Sequence, residues 1–150
     1  MTVDDGVAHR RGLIDTNIVI LRDWLAPSDL PQEVAISAVT LAELSAGPHA
    51  VTGDSDAAIH ERARRIAILQ RTESEFDPLP FDATAARAYG QLIGATVAAG
   101  RSPRRRVADL QIAATAVAHA LPLYTTNPAD YVGLDRWLNV VAVTRPATNA

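Results

Sequence analysis

Short apolar runs alternating with helical segments, with no tight hairpin turn between any two of them, constrain this chain more than anything else in it. Gly12-Leu13-Ile14, Val34-Ala35-Ile36-Ser37, Leu123-Tyr124-Thr125-Thr126 and Val140-Val141-Ala142-Val143 read as strands. Ile18 to Leu25 (closed by Pro27), Thr40 to Ala46 (stopped by Gly47-Pro48) and Asp56 to Arg71 read as helices. Asp82 caps a further helix whose face is Ala85, Ala86, Tyr89, Leu92, Ile93, Thr96 and Val97, ending near Gly100. A last one carries Leu110, Ala113, Ala114, Val117, Ala118 and Leu121 with a period near 3.6. Phe76 to Phe81 holds two prolines and can form at most a short edge strand. Strands joined through helices must run parallel. The pattern predicts an α/β domain with a mostly parallel sheet of four to five strands, covered by helices on both faces.

A length of 150 residues fits one domain spanning residues 1–150. Residues 1–11 and 144–150 lack periodicity and are expected to be loose ends without chemistry. No stretch reads as a signal peptide or membrane span, so a cytoplasmic protein is expected. With no cysteine, a metal would have to be held by oxygen or imidazole, which favours a hard cation. Net charge is -3 and all 14 basic residues are arginine, so only the location of the arginines is informative.

In an open parallel sheet, functional residues gather beyond the carboxyl ends of the strands. Asp15 follows the first strand, Glu43 lies within two turns after the second, and Asp109 opens the alanine-rich helix before the strand Leu123-Tyr124-Thr125-Thr126, which is counted fourth when the edge stretch Phe76 to Phe81 is included. Each acid also has a purely structural explanation. Asp15 can cap a helix, Thr40 and Glu43 have the spacing of a capping box, and Asp109 suits the positive end of a helix dipole, where it should be ionised. Together they exceed what capping requires. Clustered carboxylates repel unless a cation lies between them, and Mg²⁺ or Mn²⁺ takes such oxygen ligands together with substrate phosphate. The implied reaction is hydrolysis of a phosphodiester. Arg101, Arg104, Arg105 and Arg106 precede a helix N-terminus, where the dipole disfavours cations, so an external polyanion such as single-stranded RNA accounts for them. Their structural alternative is a solvated loop paired with neighbouring acids.

At this point four ordered motifs become recognisable. Gly12-Leu13-Ile14-Asp15-Thr16-Asn17, Val39-Thr40-Leu41-Ala42-Glu43-Leu44, Ala108-Asp109-Leu110-Gln111-Ile112-Ala113-Ala114-Thr115-Ala116 and Leu123-Tyr124-Thr125-Thr126-Asn127 resemble those of PIN-domain ribonucleases, in particular the VapC toxins of bacterial toxin–antitoxin pairs. The likeness runs from about Gly12 to Val143. It implies a small three-layer α/β/α nuclease, usually a homodimer, that cuts RNA endonucleolytically with Mg²⁺ or Mn²⁺ and is silenced by a cognate antitoxin in its active-site groove. By motif, Asp15, Glu43 and Asp109 match the family's three acids, with Asp15 and Asp109 as direct metal ligands and Glu43 orienting or deprotonating the attacking water. Thr16, Asn17 and Thr125 match the neighbouring polar positions, and the arginine loop is expected to grip RNA. Many relatives carry a fourth acid where this chain has Asn127, a member of the expected catalytic set that can coordinate but adds no charge. Asp130 lies three residues further on and could substitute.

Two other classes remain open at this level. One is a non-catalytic PIN-like binding module whose acidic pocket recognises an arginine-bearing partner. The other is a phosphatase, opposed because Asp15-Thr16-Asn17 lacks the second aspartate of aspartyl-phosphate enzymes. His119 reads as a packed or surface residue rather than a general base; Trp24 and Trp137 could stack on bases, but Trp24, on a helix with an apolar face, reads rather as packing or a partner contact.

Overall fold

The computed structural model describes residues 10–147. Strands β1 (Arg11–Ile14), β2 (Glu33–Ala35), β3 (Leu123–Thr125) and β4 (Val140–Ala142) form one sheet in the order β2-β1-β3-β4. Every pairing is parallel, with Leu13 opposite both Ala35 and Leu123, and Leu123 opposite Val140. The proline-bearing stretch contributes only an isolated parallel bridge between Ser37 and Leu79 at the β2 edge, as its two prolines demand. The first eleven residues are not uniformly loose: Arg11 belongs to β1 and the Arg10 carbonyl accepts from the Glu33 N–H at 2.7 Å. The expectation for residues 1–9 and 148–150 lies outside the described residues.

The helices are α1 (Thr16–Leu21), α2 (Ala38–Ala46), α3 (Asp56–Glu75), α4 (Ala83–Ala98) and α5 (Val107–Ala118). Boundaries shift from the sequence reading for local reasons. The expected Ile18–Leu25 helix stops at Leu21 and tightens into a 3₁₀ turn, Arg22–Trp24, before Pro27 opens a second one, Pro27–Asp29. Ser37 leaves the second strand to cap α2, its Oγ accepting from the Val39 N–H at 3.0 Å. The α3 helix runs one turn past Arg71, where Asp23 accepts from Arg71 and Glu75 accepts from Arg22.

Successive strand residues face opposite sides of a sheet, and the core divides accordingly. Leu13 and Leu123 point to the side covered by α4 and α5, with Leu92, Leu110, Ile112, Tyr131 and Leu138. Ile14 and Tyr124 point to the side of α1 and α2, with Ile18, Val19, Ile36 and Leu44. This is the expected three-layer α/β/α arrangement. Among the described residues no helix is long and apolar enough to cross a membrane.

Gly12 makes one strand contact possible. A Cβ there would stand 2.5 Å from Tyr124 Cε2 and 3.1 Å from Pro31 Cγ. Gly12→Ala must therefore displace the Tyr124 ring from the core, and it is expected to lower unfolding free energy by roughly 1–3 kcal/mol. A drop in urea midpoint at unchanged m-value is the measurement.

Candidate active site

Parallel strands place the start of each following segment on one sheet edge, and the acids collect there. Asp15 follows β1 directly and is only 5% exposed. Its Oδ1 accepts from the Ile18 N–H at 3.0 Å, so it does cap α1. The buried Thr125 hydroxyl, at the end of β3, also donates to the Asp15 carboxylate while accepting from the Asn127 N–H at 3.0 Å. Burial raises the Asp15 pKa above its ordinary value, and these hydrogen bonds oppose the rise.

Glu43 does not complete a capping box, because Ser37 already caps α2. The Thr16 hydroxyl donates to Glu43 Oε1 at 2.7 Å and lies 3.0 Å from the hydroxyl of fully buried Thr40. A hydroxyl has one proton, so Thr40 must be the donor to Thr16. A relay from Thr40 through Thr16 thus fixes the carboxylate on the first turn of α1.

Asp109 is half-buried in the first turn of α5, whose N-cap Arg106 offers no side-chain cap. Its pKa is pushed up to about 6, first by burial and then by the charges of Asp130, Glu43 and Asp15, with Arg106 offsetting part of the rise. The helix N-terminus alone argues for a fully ionised Asp109. Desolvation and like charges outweigh it.

The fourth negative charge comes from Asp130 in the 3₁₀ turn Pro128–Tyr131, since its charge raises both Asp15 and Asp109. Asn127 enters the site through it, Nδ2 donating to Asp130 Oδ2 at 2.8 Å. Arg106 donates to the Asp130 carbonyl at 3.0 Å, and Arg101 to the Ala129 carbonyl at 2.6 Å. Two of the four clustered arginines therefore hold this turn against the start of α5. Arg104 and Arg105 are exposed and make no hydrogen bond or ion pair with the described residues.

Asp15, Thr16, Asn17, Glu43 and Asp109 line a cavity of about 340 Å³. Its lining also includes Arg64, Arg65 and Ile68 of α3, and none of Arg101, Arg104, Arg105 or Arg106 lines it. Sequence reasoning missed this α3 lining. The available signal was the Arg64-Arg65 doublet one turn after Glu61, which amphipathic spacing alone assigns to a surface helix. His119 caps the opposite end of α5, about 15 Å along the axis from Asp109, which excludes it from the site. Its Nε2 is buried without a partner among the described residues. Trp24 is 64% exposed and so does not pack in the core.

No three His, Asp or Glu side chains among the described residues stand as a ready-made metal cage. The donor set nevertheless suits a hard cation, being all oxygen, with Asp15 and Asp109 raised first by burial and then by the charges of the neighbouring acids, both of which a bound cation would offset. Mg²⁺ and Mn²⁺ need only one or two carboxylates, the remaining positions being water or phosphate.

The family profile described as PIN domain matches residues 13–131. Ribonuclease VapC5 of Mycobacterium tuberculosis is 36% identical over 127 residues, covering 83% of this chain and 87% of the relative. VapC ribonuclease Y4jK of Sinorhizobium fredii is 34% identical, over 82% of this chain and 93% of its own length. Among solved structures, that of VapBC-5, a member of the VapBC family of toxin-antitoxin systems from M. tuberculosis, aligns with a TM-score of 0.74 at 34% identity, over 89% of this chain and 99% of that one.

Two expectations follow from the geometry. Thr40→Val removes the donor to Thr16 and is expected to cost about 1 kcal/mol in urea unfolding. The second concerns pH without divalent cations. Folded Asp109, with a pKa of about 6 against an ordinary 3.8, holds more protons than the unfolded chain in that interval. Its contribution to stability is therefore lost as pH rises from about 4 to 6. In EDTA, wild-type protein should lose stability relative to Asp109→Asn between pH 4.5 and 7, and parallel curves would refute the assignment.

Proposed function

The chain belongs to the PIN-domain family, and on that premise we propose that it is a divalent-cation-dependent endoribonuclease, the toxin of a cytoplasmic toxin–antitoxin pair. The observation that carries this reading is the convergence of Asp15, Glu43 and Asp109, from three separate elements, on one cavity. The names of its relatives support it, since they are called ribonucleases and the VapBC-5 structure is of a toxin–antitoxin family member. A cognate antitoxin and a homodimeric assembly are part of the same proposal.

Asp15 and Asp109 are the direct ligands for Mg²⁺ or Mn²⁺ in this reading. Asp15 accepts two hydrogen bonds, from the Ile18 N–H at Oδ1 and from the Thr125 hydroxyl, and a carboxylate has lone pairs beyond those two for a cation. When bound, the cation supplies an acidified water and neutralises charge on the phosphate under attack. Glu43, aimed by Thr16, accepts the proton of the attacking water as a new P–O bond forms and the leaving oxygen departs. Asp130 adds the charge that Asn127 lacks, while Asn127 and Arg106 orient it. Asn17 lines the cavity, and Thr125 opposes the burial-driven rise of the Asp15 pKa by donating to it. Arg101 serves the RNA indirectly by fixing the Asp130 turn, whereas Arg104 and Arg105 are free to meet RNA backbone beyond the cavity.

Glu43→Gln keeps the shape of the side chain and removes its basicity, so Mn²⁺-dependent cleavage of total RNA should slow by about 10²–10⁴-fold with the fold intact by circular dichroism. Asp109→Asn should abolish cleavage and weaken Mn²⁺ binding in calorimetry. Wild-type rates in both variants would remove the nuclease reading. Saturable Mn²⁺ binding without any RNA cleavage by the wild type would instead favour a non-catalytic module.

A further inference from the structure

The cavity is not uniformly acidic. Besides the carboxylates, its lining includes Arg64 and Arg65 of α3. Both are turned on Glu61, one turn earlier: Arg64 Nε donates to Oε2 at 3.0 Å and its Nη2 to Oε1 at 2.8 Å, and Arg65 Nε donates to Oε1 at 2.8 Å. Arg65 Nη1 also donates at 2.8 Å to the Gly47 carbonyl, where α2 ends. Each guanidinium has five N–H donors and commits two of them here, so three remain on each. Glu61 is held ionised, its pKa lowered to about 2 by the two arginines, and cancels one of their two charges. A net charge of +1 with unengaged donors thus shares one cavity with three carboxylates.

Exposed ion pairs at this spacing stabilise a helix only slightly, and α3 gains little from two of them on a single glutamate. The ion pairs instead restrict where the guanidinium planes can point. A ligand matched to this polarity has one anionic group placed for a carboxylate-bound cation and a second one a short distance away. Successive phosphates of one nucleic-acid strand have that form, and arginine is suited to phosphate through paired donors. We propose that Arg64 and Arg65, aimed by Glu61 and the Gly47 carbonyl, form a subsite for the RNA phosphate adjoining the one that is cleaved. This rests on the nuclease reading for which phosphate is cleaved, but its test requires no turnover.

The experiment is a fluorescence-anisotropy titration of a fluorescein-labelled twelve-nucleotide oligouridylate at several KCl concentrations, in EDTA so that the probe stays intact. Arg64→Gln/Arg65→Gln is compared with wild type and with Arg87→Gln/Arg136→Gln, which removes the same charge away from the cavity. Affinity of the α3 double variant should fall tenfold or more at low salt, and the slope of log K against log salt should shrink by roughly 0.7 for each phosphate that is no longer neutralised. The Arg87/Arg136 pair should stay near wild type, and Arg64→Lys/Arg65→Lys, which keeps the charge and guards against misfolding of the glutamine variant, should retain most of the slope. No binding by wild type, unchanged binding by the α3 variant, or an equal weakening in the Arg87/Arg136 pair overturns the subsite. Failure of the nuclease reading would look different, with the oligonucleotide bound through α3 but left uncut after Mn²⁺ is added.

Discussion

Burying carboxylates beside one another is the constraint around which this site is built. Asp15, Glu43, Asp109 and Asp130 come from four parts of the chain, and the pKa values of Asp15 and Asp109 are raised first by burial and then by the neighbouring acids. The fold tolerates that arrangement because each acid but one is tied to a donor on a neighbouring segment. Asp15 takes an N–H from α1 and a hydroxyl from β3, Glu43 takes the Thr16 hydroxyl, and Asp130 takes the Asn127 amide and the Arg106 guanidinium. Asp109 has no such donor among the described residues, and it carries the pKa that burial and three neighbouring acids push to about 6.

These ties span elements far apart in sequence, so the parallel sheet is what makes them possible. With β1 between β2 and β3, the residues that follow all three strands meet at one edge. Thr125 can then reach Asp15, and Thr40 can reach Thr16 and, through it, Glu43. The opposed packing of Leu13 and Ile14 fixes this register, since a slip by one residue would exchange the two cores.

Much of this was legible in the sequence, because strand and helix periodicity are local and strong here. Alternation without hairpin signals implied the parallel sheet, and the strand-end rule led to Asp15, Glu43 and Asp109. What periodicity could not supply was the choice between competing local partners. Thr40 and Glu43 have capping-box spacing, yet Ser37 sits three residues before Thr40 and takes the cap, which leaves Glu43 free for Thr16. Nor could it decide which arginine meets which acid. Arg106 looks like a ligand for an external anion until the turn after β3 brings Asp130 beside it. The α3 wall was invisible for the same reason, since a helix pattern does not reveal which of its polar residues will face a cavity.

Net charge is similarly uninformative about a polyanionic partner. A total of -3 argues mildly against one, but at an ionic strength near 0.15 M charges are screened beyond about 8 Å, so a phosphate responds to its immediate surroundings. In the cavity those surroundings are divided. Carboxylates on the sheet edge repel a phosphate unless a cation lies between them, whereas the guanidinium groups of Arg64 and Arg65 on α3 attract one without it. On the proposed nuclease reading such a division would separate holding a strand from cutting it, because the arginines could act whether or not a cation is bound and the carboxylates only once one is. Glu61 suits that separation, because it holds two donors of Arg64 and one of Arg65 and cancels one of their two charges, so that the arginines are already partly paired on α3 itself.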